Sequence, residues 1–420
     1  MLRYTCFFGN YNHLNNHLSI IVLNYKILRA VRRDDALPFS VFLVRARSDY
    51  LCRKKATVQY GFKRFFVMAH QKEIPLHISY LPDIVFSSGF PDVLIPHPIG
   101  ESAVVTVTAD GETLLRETLY PTDDGIVLED MGGLVELYAR QRLTVLVNVH
   151  ATAASGRSYD KDVRVLYSRT DIGEDISAEE FYECSFLTVL QGRKLTALGR
   201  MELLNYYGTE DAEVTALYDD GTTEVFAARV TGGNDNYRHI DVSPGQYVAE
   251  GKTLCSYTVT AGSRTQEFVV EPEQLDCAPV LCFVNSFGVE ELLYCTGLHQ
   301  ISPEYKRSQA RIGGYLRNYK IETIRHFKAD TGPLNEWMAE WVDDLFHSDE
   351  VRLYHYEDGV LRPGREVVIT ESKSDRSNDD AEIPRFTFTY EYAQRNHNVL
   401  AFRQRREGRI FDDSFDDTFS

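Results

Sequence analysis

The clearest pattern of apolar and polar positions runs from Gly332 to Tyr356. Leu334, Trp337, Met338, Trp341, Val342, Leu345 and Phe346 fall at i, i+3, i+4, i+7, i+8, i+11 and i+12. That spacing predicts one apolar stripe on a helix of about four turns. Pro333 suits the first helical turn and Asp330 or Thr331 can cap it. Both tryptophans lie on the stripe, and Glu336, Glu340, Asp343 and Asp344 are expected on the opposite face. From Val351 the period becomes two, with Val351, Leu353 and His355 alternating with Arg352, Tyr354 and Tyr356. A helix lying across a β-sheet is predicted, with Trp337, Trp341, Phe386, Phe388 and Tyr390 in its core. The last three belong to Arg385–Ala393, whose Phe386, Phe388, Tyr390 and Tyr392 share one face.

The same alternation fills the rest of the chain. Ala103–Thr108 and Leu114–Tyr120 flank the hairpin turn Asp110-Gly111. After a turn at Pro121 to Gly125 come Ile126–Leu128, a short helix over Asp130–Arg140 carrying Leu134, Leu137 and Tyr138, and a strand at Leu143–His150. Ala151–Asp160 is small and polar and reads as a junction. Further on, Val163–Tyr167, Phe186–Leu190, Val214–Tyr218, Glu224–Val230, His239–Val242, Thr253–Thr260 and Gln266–Val270 are expected strands. Asp220-Gly221 is a turn and Gly232–Asn236 a loop. Pro272 and Pro279 mark the next boundary, and Tyr319–Phe327 and Glu366–Thr370 are strands of the last unit.

The fold class read from this is mainly β: two antiparallel, Ig-like β-sandwich domains, 68–155 and 156–275, then an α+β domain, 276–400, with one amphipathic helix packed on a sheet. Residues 401–420 form a charged tail. Two segments share a seven-residue pattern of apolar-Asn-x-aromatic-Gly-x-Glu: Leu204 to Glu210 and Val284 to Glu290. A common strand–turn–strand unit, with Asn and Gly at the turn and the aromatic pinned to the core, explains it; coincidence is the alternative.

Composition changes the picture in three places. The 25 Tyr and 23 Phe against 2 Trp and 5 Met favour strands. The net charge of −17 argues against nucleic acid as partner, because phosphate binding needs a positive footprint. Seven cysteines with no CxxC pair argue against a disulfide framework or a structural zinc site. No apolar run reaches the roughly 20 residues of a membrane span.

Residues 1–67 stand apart. They hold twelve Lys/Arg and three acids, a net +9 that leaves −26 on residues 68–420, and the first Glu is Glu73. A targeting peptide, a basic arm and an over-extended reading frame with Met68 as the native start compete; the break in composition favours the last. His13 and His17, spaced i, i+4, lack the further ligands of a metal site.

Motifs with chemistry are sparse. Gly251-Lys252-Thr253 looks like the end of a phosphate loop, but Gly245 is misplaced and a strand follows where a helix is required. The clusters Asp375–Asp380 and Asn234–Asn236 offer oxygen ligands for calcium and read as solvated turns. The pairs Glu290/Glu291 and Asp343/Asp344 read as surface acids. No catalytic, cofactor-binding or metal residue is assigned and no cofactor is expected.

One resemblance rests on the order of structural features. It comprises Leu119-Tyr120-Pro121 to Gly125-Ile126 leading into a short helix, then Val284-Asn285-Ser286-Phe287-Gly288 and the Arg/Lys-rich residues 306–320. The tryptophan helix follows, and a closing F-x-F-x-Y-x-Y strand before Arg395-Asn396. Over about residues 74–400 the chain resembles multidomain β-rich structural proteins encoded by phages and prophages of gut anaerobes. The resemblance implies a virion- or tail-associated assembly protein that is not an enzyme. It implies other virion or assembly proteins as partners, homo-oligomerisation, and a place in the virion or in the host cytoplasm during assembly. It carries over no catalytic residue. The alternatives are a carbohydrate-binding or adhesive surface module, which needs exposed aromatics beside polar groups, and a glycan-acting enzyme with a carboxylate pair.

The tail supplies the candidate interaction residues. Phe411, Phe415 and Phe419 recur every fourth position, separated by Asp412, Asp413, Asp416 and Asp417. Such a segment can add a strand to a neighbour's sheet edge or lay a helix into a groove, with basic residues such as Arg403 to Arg409 as counter-charge.

Overall fold

The computed structural model describes residues 76–122, 125–172, 176–272, 277–357, 359–374, 383–394 and 397. The candidate interaction residues of the tail, Arg403 to Arg409, the Asp375–Asp380 cluster, His13, His17 and the start at Met68 lie outside them. Among the described residues, no helix is long and apolar enough to cross a membrane. The fold is mainly β, built among the described residues from several sheets and three α-helices.

The first body contains β1 (Leu76–His77), β2 (Ile84–Phe86), β3 (Val93–Ile95), β4 (Ala103–Ala109), β5 (Glu112–Leu119), β6 (Ile126–Leu128), α1 (Met131–Arg142), β7 (Thr144–Ala153) and β8 (Ser158–Leu166). A five-stranded sheet of order β2-β8-β7-β4-β5 faces a three-stranded sheet of order β1-β3-β6 across a shared apolar core. Alternation drives it: in β4 every second residue, Ala103, Val105, Val107 and Ala109, is buried. Asp110 and Gly111 take the positive φ values of a tight hairpin turn. In α1 the buried face is Met131, Val135 and Ala139, while Leu137 points to solvent, against expectation.

The expected junction at 151–160 is instead a hairpin of this sheet. Thr144 to Thr152 pair with Leu166 to Ser158, so the boundary expected at 155/156 would cut through one strand pair. Small side chains there line the inner face of a strand; Ala151 and Ala153 are buried.

The second body contains α2 (Ala178–Cys184), β9 (Lys194–Ala197), β10 (Leu203–Tyr207), β11 (Ala212–Tyr218), β12 (Thr223–Ala227), β13 (Arg229–Gly233), β14 (Tyr237–Asp241), β15 (Leu254–Ala261) and β16 (Arg264–Glu271). Its sheets are β12-β11-β15-β16-β9 and β10-β14-β13. The strand expected at Glu224–Val230 breaks at Ala228, and its two halves pair in different sheets. Phe186–Leu190 is not a strand; Phe186 and Leu187 are buried from an irregular segment after α2, a helix the sequence did not show.

The third body contains β17 (Val280–Val284), β18 (Glu290–Tyr294), β19 (Gln300–Ile312), β20 (Tyr315–Asp330), α3 (Glu336–His347), β21 (Val351–Glu357), β22 (Val360–Lys373) and β23 (Thr387–Tyr392). Its seven strands have the order β18-β17-β21-β22-β23-β20-β19, and every neighbouring pair is antiparallel. The α3 stripe covers one face: Trp341, Val342 and Leu345 are fully buried with Phe386, Phe388 and Tyr390. Phe346 meets Phe386 and Phe388 edge-on.

Four details of this region correct the sequence reading. Trp337 is not core; 46% of it is exposed, because the stripe runs off the sheet at the first turn of α3. The cap is Asn335, whose side chain accepts from Met338 N at 2.8 Å, in place of the expected Asp330 or Thr331. Asp344 is buried and not on the solvent face. In β21 the alternation holds but both faces are apolar: Val351 and Leu353 join the core under α3, Tyr354 and Tyr356 pack with Val280 and Cys282, and His355 is exposed.

Candidate functional site

Two regions hold what the fold does not need for strand pairing alone: a buried polar junction where the three bodies meet, and a ribbon that leaves them.

The junction begins with the two similar segments. Gly208 and Gly288 both have positive φ, and Tyr207 and Phe287, the matching aromatics, enter the same cluster with Phe86, Leu143, Leu166 and Phe181. The aromatic thus pins each turn to the core as expected, and to one common core. The units differ otherwise: β17 and β18 pair with each other, whereas β10 and β11 lie in different sheets. Asn285 Nδ2 donates to Leu187 O at 2.8 Å and to Glu291 Oε2 at 2.9 Å, and its Oδ1 accepts from Phe287 N and Val289 N.

Glu291 also accepts from Thr188 Oγ1 at 2.7 Å. Burial pushes its carboxyl above the usual range, against Lys194 and the hydrogen bonds from Asn285 and Thr188. Beside it, Lys194 Nζ donates to Glu202 Oε2 at 2.7 Å and sits 4.5 Å over the Trp341 ring, while Thr196 Oγ1 holds the other Glu202 oxygen at 2.8 Å. Asp344 accepts from Ser286 Oγ at 2.6 Å and Ser286 N at 3.0 Å. Arg169 and Arg140 from the first body reach Asp349, at 2.8 and 3.2 Å. Each acid pair that read as surface, Glu290/Glu291 and Asp343/Asp344, therefore has one buried member: Glu291 ties the third body to Thr188 of the second, and Asp344 holds the turn after β17 to α3 and lies 3.9 Å from Arg169 of the first. Oxygens held this way are structural anchors.

The ribbon is made of β19 and β20. Gly313 and Gly314, both at positive φ, form its tip, and Ile312 faces Tyr315. β23 pairs with β20 only over His326–Asp330. Beyond that, Tyr315 to Ile324 have β19 as their only strand neighbour among the described residues, a reach of about 33 Å at roughly 3.3 Å per residue. All of β20 from Tyr315 to Glu322 is exposed, and so is all of β19 from Gln300 to Arg307. Tyr305, Ile312, Tyr315, Leu316, Tyr319 and Ile321 stand out in solvent. Between them are Lys306, Arg307, Arg311, Arg317 and Lys320 against Glu304 and Glu322, a net +3 on an acidic chain. Arg307 lies over the Tyr305 ring at 5.3 Å.

Sequence reading found the basic residues 306–320 and a strand at Tyr319–Phe327, and missed the hairpin. Its signal was present: Gly313-Gly314 between two β-rich runs is a two-residue turn. The Asn234–Asn236 cluster is the three-residue turn between β13 and β14, with Asn234 Oδ1 accepting from Asn236 N and Tyr237 N. Among the described residues, no group of His, Cys, Asp and Glu could hold a metal ion. Lys252 is spent on Asp220, Glu224 and Thr222.

At the other end of α3, Trp337 and the segment Gln191 to Arg193 border an open cleft of about 470 Å³, with Thr265 and Glu267 of β16 on its far side.

No model of a known protein family matches the chain, and no curated protein does. Among solved structures, a host-cell-surface-retention study of a 1.5-MDa bacterial ice-binding adhesin overlaps 67% of this chain and 91% of that chain, at 11% identity and a TM-score of 0.13. A Ca2+-stabilised adhesin by which an Antarctic bacterium binds ice overlaps 67% and 69%, at 13% identity and a TM-score of 0.12. The Bacteroides ovatus mixed-linkage glucan locus protein SGBP-B, with a mixed-linkage heptasaccharide, overlaps 71% and 70%, at 11% identity and a TM-score of 0.12. At such scores the overlaps establish neither shared fold nor shared role.

Proposed function

We propose that the chain is an assembly protein that works by protein–protein contact, with the β19–β20 ribbon as the element that engages the partner. The observation that carries this is a strand pair whose apolar side chains, Tyr315, Leu316 and Ile321 among them, stand in solvent. A two-stranded ribbon is marginal in water without a third strand or a covering layer. Its outer strand, β19, is also the edge of the seven-stranded sheet, and an edge is a template for pairing. Pro303 and the basic side chains restrict that pairing. They favour an acidic partner, and the rest of this chain is itself strongly acidic. The buried acids hold the bodies together and do not converge on a cleft, which supports a non-catalytic reading. The phage-like setting implied by the sequence resemblance would supply many copies in register. The partners would then be a second copy or other virion proteins, in the particle or in the host cytoplasm during assembly.

The test shortens the ribbon. Lys306 faces Glu322 in register, so residues 307–321 can be replaced by Gly-Gly. Light scattering behind size exclusion should show the full chain forming larger species that shrink as salt is added. The shortened chain should melt at nearly the same temperature and run as a monomer. Equal association of both chains would remove the ribbon from this role.

A further inference from the structure

We propose that the cleft beside Trp337 binds a neutral pyranose ring of a glycan, stacked on the open face of the indole. Trp337 occupies a stripe position that would normally be buried, yet the side chain is 46% exposed. Its ring rests on Gly192, where a Cβ would lie 2.3 Å from an indole carbon. Glycine is thus required there for the indole to sit against the segment, and that contact fixes the plane of the ring. An aromatic face held from behind and open in front suits the flat C–H face of a sugar.

The polar rim fits the same ligand. Arg193 Nε meets Glu267 Oε2 at 2.9 Å, with the arginine side chain largely in solvent and the glutamate half-buried. The pair offers donors and acceptors to neighbouring hydroxyls and carries no net charge, which favours a neutral sugar over a sulfated or uronic one. Gln191 and Thr265 complete the lining. The lining is thus one aromatic wall with a polar rim, which suits a hydroxyl-rich ligand better than an apolar one. The floor is held in advance: Asn335 Nδ2 donates to Arg193 O at 2.8 Å, and Gln266 Nε2 donates to Gly192 O at 2.5 Å. Ordering these groups on binding therefore costs little. A glucopyranose ring, whose hydroxyls are equatorial, can offer them to the rim while its axial hydrogens meet the indole.

Tryptophan emission reads the site directly. The chain has two tryptophans and Trp341 is fully buried, so acrylamide quenches mainly Trp337. Cellohexaose added to the full chain should protect the quenchable fraction saturably. Arg193→Ala, a change of a surface side chain, should weaken cellohexaose tenfold or more. Trp337→Phe should keep part of the affinity and Trp337→Ala none, both read by calorimetry. Three results would overturn the proposal: no protection by cellohexaose, undiminished binding in Trp337→Ala, or protection that rises with protein concentration in the absence of sugar. The last would show a second copy of the chain in the cleft.

Discussion

The two halves of β20 have nearly the same chemistry and opposite fates. Tyr315 to Glu322 is exposed throughout, whereas Phe327 and Ala329 are buried, His326 to Lys328 are paired on both sides, and β23 continues along Ala329 and Asp330. Tyr, Leu and Ile on the outer half are as apolar as the residues on the inner half. What differs is the cover: α3 and β23 pack over the inner half, and the ribbon has neither. Strand propensity therefore decides that β20 forms, and neighbouring layers decide what its apolar residues do. The inner half stabilises the chain; the outer half leaves its apolar area available for another molecule.

Emptying the covered half should produce the largest effect. Trp341→Ala removes the largest fully buried side chain, which lies beneath Lys194 and beside Phe283. We expect a loss of about 3–5 kcal/mol, the range for a vacated aromatic core site, read from denaturant unfolding. A midpoint within a degree or two of wild type in a parallel melt would mean that α3 does not cover the sheet as described.

The junction should respond nearly as strongly, but in a reversible way. Lys194→Met leaves Glu202 buried without its cation, with Thr196 Oγ1 still attached. A loss of about 3 kcal/mol is expected, the lower end for breaking a buried pair. Combining it with Glu202→Gln should recover most of that loss, since no uncompensated charge remains. Additive losses in the double variant would show that the two side chains do not act as a pair.

These contacts also explain what the sequence disclosed. Alternation in Ala103–Ala109 and the 3.6-residue stripe in α3 were legible because each element has one buried face. Trp337 was misread because a stripe shows which face is apolar and not where the sheet beneath it ends. The hairpin at 151–160 was misread because Ala and Ser carry little strand signal, although Ala151 and Ala153 fill a tight inner face. Glu291 and Asp344 were misread because their partners Thr188 and Ser286 come from segments far away or across a fold-back. The Trp337 cleft had no local signature at all: Gly192 and Trp337 lie 145 positions apart.

A smaller, pH-dependent effect separates the junction from the surface. Glu291 has a folded-state pKa raised by burial above the ordinary value of 4.5. Its contribution is therefore full below the unfolded pKa and is lost as pH rises through the folded value. Glu291→Gln stays neutral, can still accept from Asn285, and can donate to Thr188. The stability of the variant relative to wild type should increase as pH is raised from 4 towards neutrality, measured by urea unfolding at each pH. Parallel profiles would place Glu291 in solvent.

The smallest effect on stability should come from the outer ribbon, and it is the sharpest test of the contrast. Leu316→Ser and Ile321→Thr act on side chains 63% and 52% exposed. Surface changes of this kind usually stay within about 0.5 kcal/mol. Thr preserves strand propensity at 321, and Leu316 faces Arg311 one step before the tip, where Ser is tolerated. The double variant should thus unfold at the wild-type urea concentration while its association constant drops, since apolar area at a contact is what both changes remove. The two readouts must diverge. If stability falls by several kcal/mol instead, the outer half is packed against the body, and the difference between the halves of β20 disappears. If neither stability nor association moves, the exposed side chains take no part in the contact, and the edge of β19 alone would have to supply it through its backbone.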